Sequence, residues 1–134
     1  MSMFSIFNVS GSAISAQSQR LNIVASNLAN VDAVAGPDGQ TYKARQPVFQ
    51  TTKIGEDESL GVRVSTIKES QSPGRRVFSP EDPLADAEGY VNHSNVNAVE
   101  EMVNMISASR SYQNNVEVMN TAKSLLLKTL QMGQ

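Results

Sequence analysis

The sequence predicts a mainly α-helical protein with a small β insert, in which long N- and C-terminal helices pair as an antiparallel coiled coil. Apolar residues recur every seven positions at both ends of the chain, the spacing of a helix-pairing seam. Residues 1–31 hold one charged side chain, whereas residues 32–95 hold 17 of the 24. We therefore expect a discontinuous helical axial domain, residues 1–31 together with 96–134, and a central β-rich or loop insert, residues 32–95.

The first helix is predicted to run from near Ser5 to about Asn30. Gly11 weakens it by about 1 kcal/mol relative to alanine. Its polar positions carry Ser and Asn in place of the Lys and Glu of an ordinary surface helix, which favours a helix surrounded by protein. One apolar row consists of Phe7, Ile14, Leu21 and Leu28, and Val24 belongs to a second row.

The middle of the chain combines turn residues with β-forming residues. Residues 35–40 contain Pro-Asp-Gly, a typical turn. Residues 41–52 predict a strand broken by Pro47, and residues 62–68 predict a second strand after a charged turn. Together they indicate a small β-hairpin region with a loop region after it.

The last helix is predicted to span residues 98–131. Asn97 is the expected N-cap, Glu100 follows at the third position as in a capping box, and Gly133 stands where the helix can stop. One seven-residue row consists of Met105, Tyr112, Met119 and Leu126, and the partner row includes Val116 and Leu130.

Composition excludes several classes of function. The chain has no Cys, so thiol catalysis and disulfides are excluded, and its net charge of −2 gives no electrostatic basis for binding nucleic acid. No run of about 18 apolar residues could span a bilayer. The N-terminus lacks the basic region of a secretory signal, so we expect no cleaved signal peptide.

No group of residues predicts catalysis, a metal, a cofactor or a small-molecule substrate. His93 is the single His, and its neighbour Ser94 does not by itself indicate a catalytic triad. The acidic residues between 81 and 88 lack the alternation of a calcium loop and are interpreted as a solvated loop. The Arg75-Arg76 pair is expected to be solvated or to pair with acids of an adjacent subunit.

The segment SQRLNIVASNLANVDA, residues 18–33, resembles the N-terminal signature of bacterial flagellar rod and hook proteins. The motifs ADAEGYV, SNVN and SASRSYQNN, in the second half of the chain, narrow the resemblance to the bacterial flagellar basal-body rod protein family, closest to the proximal rod proteins. The resemblance runs essentially end to end. One departure is His93-Ser94, where the family pattern leads us to expect a proline.

The resemblance implies a structural subunit, not an enzyme, that assembles with copies of itself and with other rod proteins into a tubular drive shaft. That shaft transmits torque and surrounds the export channel of the basal body, across the periplasmic space. Proteins of this kind leave the cell through the flagellar type III export apparatus. A further implied partner is the membrane-ring adaptor at the base of the rod.

From the two seams and this resemblance we predict a set of subunit-interface residues. Asn27 is expected to hydrogen-bond across subunits, and Asn30 to lie near the helix stop. The isolated chain is expected to leave both ends largely disordered, since helix stability comes mostly from tertiary burial. The alternative is a soluble helical adaptor outside the rod. The predicted interface consists of Phe7, Ile14, Leu21, Val24, Asn27, Leu28, Asn30, Met105, Tyr112, Val116, Met119, Leu126 and Leu130.

Overall fold

Two long helices and two small antiparallel sheets make up the chain in a computed structural model, which describes residues 3–133. This confirms a mainly α-helical protein with a small β insert. The elements in chain order are α1 (Met3–Ala29), β1 (Arg45–Lys53), β2 (Leu60–Glu69), β3 (Arg76–Phe78), β4 (Tyr90–Asn92) and α2 (Ala98–Met132).

The ends of α2 follow the local sequence signals. The Asn97 side chain accepts hydrogen bonds from the backbone N–H groups of Val99 at 3.1 Å and Glu100 at 3.2 Å, which satisfies two donors of the first turn. At the other end the Gly133 N–H donates to the Thr129 carbonyl at 3.1 Å. The N-cap prediction is confirmed.

The two helices pack antiparallel through small side chains. Asn27, near the end of α1, contacts Glu101 in the first turn of α2, while the start of α1 lies against the second half of α2. Ala16 on α1 and Ala108 and Ala122 on α2 are at most 4% exposed. Small residues at the contact let the two backbones approach closely, so this seam is thin and contains little apolar volume.

The buried positions of α1 do not follow the predicted row of Phe7, Ile14, Leu21 and Leu28, although two of them, Ser10 and Val24, lie on the second predicted row. Ser5, Ala16 and Asn27 are buried at intervals of eleven residues, which corresponds to three full turns of a straight helix. Phe7, Ile14 and the rest of their row are half-buried beside this line. A supercoiled pairing of α1 and α2 stays a prediction.

Strands β1 and β2 form an antiparallel hairpin that lies along α1. The Ser12 hydroxyl accepts a hydrogen bond from the Val62 N–H at 3.1 Å, and Ser5 donates to Asp57 at the hairpin turn at 3.0 Å. Pro47 does not break β1: the strand continues through it, and the pairing register shifts one residue later, between Val48 and Phe49. A bulge absorbs the irregularity that was predicted to end the strand.

Hydrogen bonds join the segment that follows α1 to the segment that precedes α2. Ser94 donates through its N–H to Ala33 at 3.0 Å and through its hydroxyl to Val31 at 2.7 Å. His93 donates through its N–H to Arg75 at 2.7 Å. The family pattern suggested a proline at this pair of positions. The backbone N–H of each residue donates a hydrogen bond here, and a proline would remove the N–H at its own position.

Candidate assembly surface

The residues that were weighed for chemistry do not converge on a reactive site. The Ser94 hydroxyl is committed to the Val31 carbonyl, and the buried His93 Nδ1 has no hydrogen-bond partner among the described residues. No group of three or more potential metal ligands occurs in residues 3–133. Neither described helix combines the length and apolarity that a bilayer crossing requires.

Asp86 organises the acidic loop. Its carboxylate accepts hydrogen bonds from the N–H groups of Tyr90 at 2.9 Å and Glu88 at 3.0 Å and pairs with Arg76 at 3.1 Å. The Tyr90 N–H contributes most to holding the pKa of Asp86 below its ordinary value; desolvation opposes it, and the Glu88 N–H and the Arg76 guanidinium add to the lowering. The loop is therefore held by hydrogen bonds and an ion pair to its own residues and to the flanking strands β3 and β4.

The two arginines that were expected to be solvated or to pair with a neighbouring subunit are paired within the chain. Arg76 contacts Asp86 and, at 3.4 Å, Glu88, and its guanidinium lies 4.5 Å from the centroid of the Tyr90 ring. Arg75 lies 3.6 Å from Asp32. Because all five side chains of these ion pairs are substantially exposed, the pairs orient the loop more than they stabilise the fold.

Asn27 joins three parts of the fold. Its Oδ1 accepts from the Tyr42 hydroxyl at 2.8 Å and the Arg45 N–H at 3.0 Å, and its Nδ2 donates to the Arg45 carbonyl at 2.8 Å and Glu101 Oε2 at 3.0 Å. The side chain is completely buried and its amide hydrogen-bonding capacity is filled. The expected bond from Asn27 to another subunit stays a prediction; in the structure its partners are Tyr42, Arg45 and Glu101 of the same chain.

Asn95 performs a similar task for the β1–β2 hairpin. Its Oδ1 accepts from the Ala44 N–H at 2.6 Å, and its Nδ2 donates to the carbonyls of Ser70 at 3.1 Å and Ser72 at 2.9 Å. Each polar residue of the SNVN motif thus has a separate role: Ser94 holds the segment after α1, Asn95 holds both ends of the hairpin, and Asn97 caps α2.

The predicted interface residues fall into three groups by exposure. Val24 and Asn27 are buried, at 3% and 0% exposed. Met105 and Leu130 are exposed, at 36% and 59%. Asn30 lies just after α1, where its side chain donates to the Ser26 carbonyl at 2.9 Å. The half-buried members are Phe7, Ile14, Leu21, Leu28, Asn30, Tyr112, Val116, Met119 and Leu126.

A third apolar row on α2 was missed in the sequence. Val99, Val103 and Ile106 are 71%, 60% and 58% exposed and form a stripe at intervals of four and three residues, which Arg110 continues. That spacing is visible in the sequence, but the apolar face of the helix was assigned from the row that contains Met105 and Tyr112. We define Val99, Val103, Ile106 and Arg110 as the outer stripe.

Comparison with known proteins identifies the family. Residues 7–37 match the model for flagella basal body rod proteins, and residues 87–132 match that for the C-terminal part of flagellar basal body rod FlgEFG proteins. The chain is 60% identical to the flagellar basal-body rod protein FlgC of Yersinia enterocolitica and 56% identical to that of Salmonella typhimurium, with 100% of each chain aligned. It is 46% identical, over 100% of both chains, to the FlgC of a Buchnera aphidicola strain. The chain belongs to the FlgC family of flagellar basal-body rod proteins.

Membership of the FlgC family confirms the structural interpretation of the sequence. The chain is a structural subunit of the proximal rod in the flagellar basal body, not an enzyme. Rod membership also implies assembly with copies of the same chain and with other rod proteins. The two matched segments cover most of α1 and all of α2, and they include the hydrogen-bonded residues Val31 and Ala33 in the first segment and Ser94 in the second.

Proposed function

We propose that this FlgC-family chain builds the rod through its two helices, which form an axial, tubular layer around the export channel, while residues 32–95 occupy a more peripheral position. Repeated lateral contacts between helices of neighbouring subunits then give a stiff shaft that transmits torque. The supporting observation is that many large apolar side chains of α2 are exposed, whereas the contact between α1 and α2 buries mainly small side chains.

The thin interior supports assembly-dependent order. The buried apolar residues of the described chain are Ala and Val alone, whereas Ile106, Leu127, Leu130 and other large apolar side chains of α2 are at least half exposed. Fully burying one such side chain contributes about 1.5–3 kcal/mol. Contacts with neighbouring subunits are therefore the available source of most of the stability of α2.

The interface that we propose uses the exposed and half-buried members of the predicted set. Met105, Leu126 and Leu130 on α2, with Phe7 on α1, face neighbouring subunits, and Asn27 acts inside the chain by fixing the angle between the helices and the hairpin. Near the start of α1 an open groove of about 490 Å³, lined mainly by Met3, Ile6, Val118 and Leu125, offers a further apolar surface.

Export and anchoring complete the proposal. A chain whose terminal helices become ordered only on assembly suits threading through the flagellar type III export apparatus, without a cleaved signal peptide, to the rod in the periplasmic space. The membrane-ring adaptor at the base of the rod is the proposed neighbour on the inner side. Deleting residues 1–20 tests export and rod assembly separately. A secretion assay measures export of the shortened chain, and basal-body fractions measure its assembly.

The deciding experiment compares the free and the assembled chain. We expect the purified monomer to show low helicity by circular dichroism and rapid proteolysis at both ends, whereas the same chain in isolated basal bodies resists protease. Strong amide-exchange protection of residues 6–30 and 99–130 in a dilute monomer would contradict assembly-dependent folding. A stable helical monomer that is absent from basal bodies would instead support the soluble adaptor.

A further inference from the structure

Two apolar surfaces lie on one face of α2. The outer stripe borders a shallow hollow of about 360 Å³, and the open groove of about 490 Å³ at the start of α1 lies against the second half of α2. Val103 of the stripe and Leu125 of the groove are 60% and 52% exposed, and they lie about 40° apart around the helix axis. Because α2 packs on α1 and on none of the strands, this face is open in the described chain.

Each of the two surfaces has a single charged residue in its described lining, and the two charges are opposite. Arg110 is the charge of the stripe, and Glu117 is the charge of the groove. Both side chains are exposed, and neither forms an ion pair or hydrogen bond within residues 3–133. Two other charges of α2 do not reach this face: Glu101 is buried, and Lys123 lies about 140° around the helix from Arg110.

Four charges of α2 match in one antiparallel register. Glu100 and Lys128, near the two ends of α2, are also exposed and unpaired within the described chain. When the α2 helices of two copies run in opposite directions, residues whose numbers add to a constant stand at the same height. The numbers add to 227 for Arg110 and Glu117 and to 228 for Glu100 and Lys128. Each charge of one copy therefore meets an opposite charge of the other, within about 1.5 Å along the axis.

The apolar residues match in the same register. Val103 stands opposite Leu125, and Ile106 stands opposite Thr121, so the stripe of each copy faces the groove of the other. Parallel helices shifted by ten or eleven residues would pair only two of the four charges of each copy at a contact. That shift would also place the stripe against the mainly polar residues 113–117. The antiparallel register is therefore the one that satisfies both the charges and the apolar side chains.

We propose that two copies of the free chain dimerise through this face, with their α2 helices antiparallel and a two-fold axis close to Asn114. The occupant is a second copy because the face is complementary to itself when it is turned around. A two-fold contact is closed, so it joins two copies and does not extend into a tube. The dimer goes beyond the function proposed above: it is the state of the concentrated chain outside the rod, in equilibrium with the dilute monomer. It covers the stripe and the groove before assembly.

Single cysteines test the two-fold axis directly, because the chain has no native Cys. Asn114→Cys places a thiol close to the proposed axis, and Ser107→Cys places one on the same face; both positions are exposed. In the concentrated purified chain treated with a short bismaleimide, Asn114→Cys alone is expected to give covalent dimers. Ser107→Cys alone is expected to give none, since its two thiols would stand about 21 Å apart along the helices.

A mixture of two single variants is the matched control. Thr121→Cys is expected to cross-link to Ser107→Cys, although neither cross-links to itself, because positions 107 and 121 stand at the same height in the antiparallel pair. A chain that stays monomeric in sedimentation velocity at every concentration would overturn the proposal. A dimer in which Asn114→Cys does not cross-link would overturn it as well, as shifted parallel helices would give that result. The rod assignment is measured separately, by the presence of the chain in basal bodies.

Charge variants supply a second, independent measurement. Arg110→Glu and Glu117→Arg each set like charges against each other twice in the dimer, and each is expected to weaken dimerisation more than about tenfold in sedimentation equilibrium. A mixture of the two single variants restores opposite charges at both contacts and is expected to form heterodimers about as tightly as the unchanged chain. Dimerisation of either single variant at the strength of the unchanged chain would contradict the register.

Discussion

At the scale of single residues, two amides determine how the pieces of this rod subunit fit together. Asn27 connects α1 to β1 and α2, and Asn95 connects the segment before α2 to both ends of the hairpin. An amide suits such junctions because it offers two donors and two acceptor sites without a charge. Both residues hold the helices and the hairpin together within the chain.

Replacing Asn27 is expected to weaken the fold strongly. Asn27→Ala leaves the Arg45 backbone groups and the buried Glu101 carboxylate without this partner, and each buried group left unsatisfied costs about 1–3 kcal/mol. Sucrose favours compact states, so the sucrose concentration that induces helicity in the purified chain, measured by circular dichroism, should rise clearly. Asn22→Ala, at an exposed position of the same helix, is the control and should change that concentration little. Equal midpoints for both variants would contradict the role given to Asn27.

The sequence predicted residue roles well where the partner is near in the chain. The Asn97 cap bonds to groups two and three residues away, so the local pattern sufficed. Asn27 bonds to groups 15, 18 and 74 residues away, and no local pattern distinguishes such a junction from a free polar residue. The pairing of Arg76 with Asp86 depends likewise on the β3–β4 pairing, which the sequence did not predict.

At the scale of elements, the hairpin is held against α1 by a close approach at Gly61. A Cβ added there would meet the Ile54 side chain and, at 2.6 Å, the Ser12 hydroxyl. That hydroxyl accepts the Val62 N–H, so displacing it also removes a bond between hairpin and helix. The absence of a side chain at position 61 thus sets the distance between the two elements.

Two glycine-to-alanine changes should therefore act in opposite directions. Gly61→Ala pushes the hairpin away from α1 and is expected to raise the sucrose midpoint of folding. Gly11→Ala adds a Cβ that meets nothing within 4 Å and removes a flexible residue from a helix interior, which should stabilise the fold by about 1 kcal/mol and lower the midpoint. A shift of both variants in the same direction would show that the hairpin does not rest on α1 as described.

The helices were predictable as elements, but the packing face of α1 was not. Seven-residue rows locate both helices because any amphipathic helix produces them. The buried line Ser5, Ala16 and Asn27 contains no large apolar residue, so a search for apolar rows passes over it. Small and polar residues become readable as a contact only once the neighbouring backbone is placed.

At the scale of the whole molecule, α2 is longer than its partner. Counting 24 residues back from Asn27 gives Met3, and counting 24 forward from its partner Glu101 gives Leu125, so residues 126–132 extend past the described start of α1. The large side chains there, Leu127, Leu130 and Met132, are 50%, 59% and 88% exposed. This extension therefore carries an exposed apolar surface that no part of the described chain covers.

A charge placed in this extension should block assembly without affecting folding of the rest. Leu130→Glu is expected to reduce incorporation into basal bodies about tenfold or more, since burial of a leucine contributes about 1.5–3 kcal/mol. Gln131→Glu introduces the same charge at the adjacent exposed position and should incorporate nearly normally. Motility in soft agar and immunoblots of purified basal bodies measure the outcome. Full incorporation of Leu130→Glu would remove this segment from the interface.

The unequal lengths of the two helices also give growth of the shaft an order. Seven residues of α2 stand about 10 Å beyond the described start of α1, at the helical rise per residue. If the proposed assembly uses this extension, each added molecule would present the exposed apolar side chains of residues 126–132 at one end, and the next molecule would cover them while exposing its own. Growth would then be sequential, because the binding surface for one molecule would be supplied by the molecule added before it.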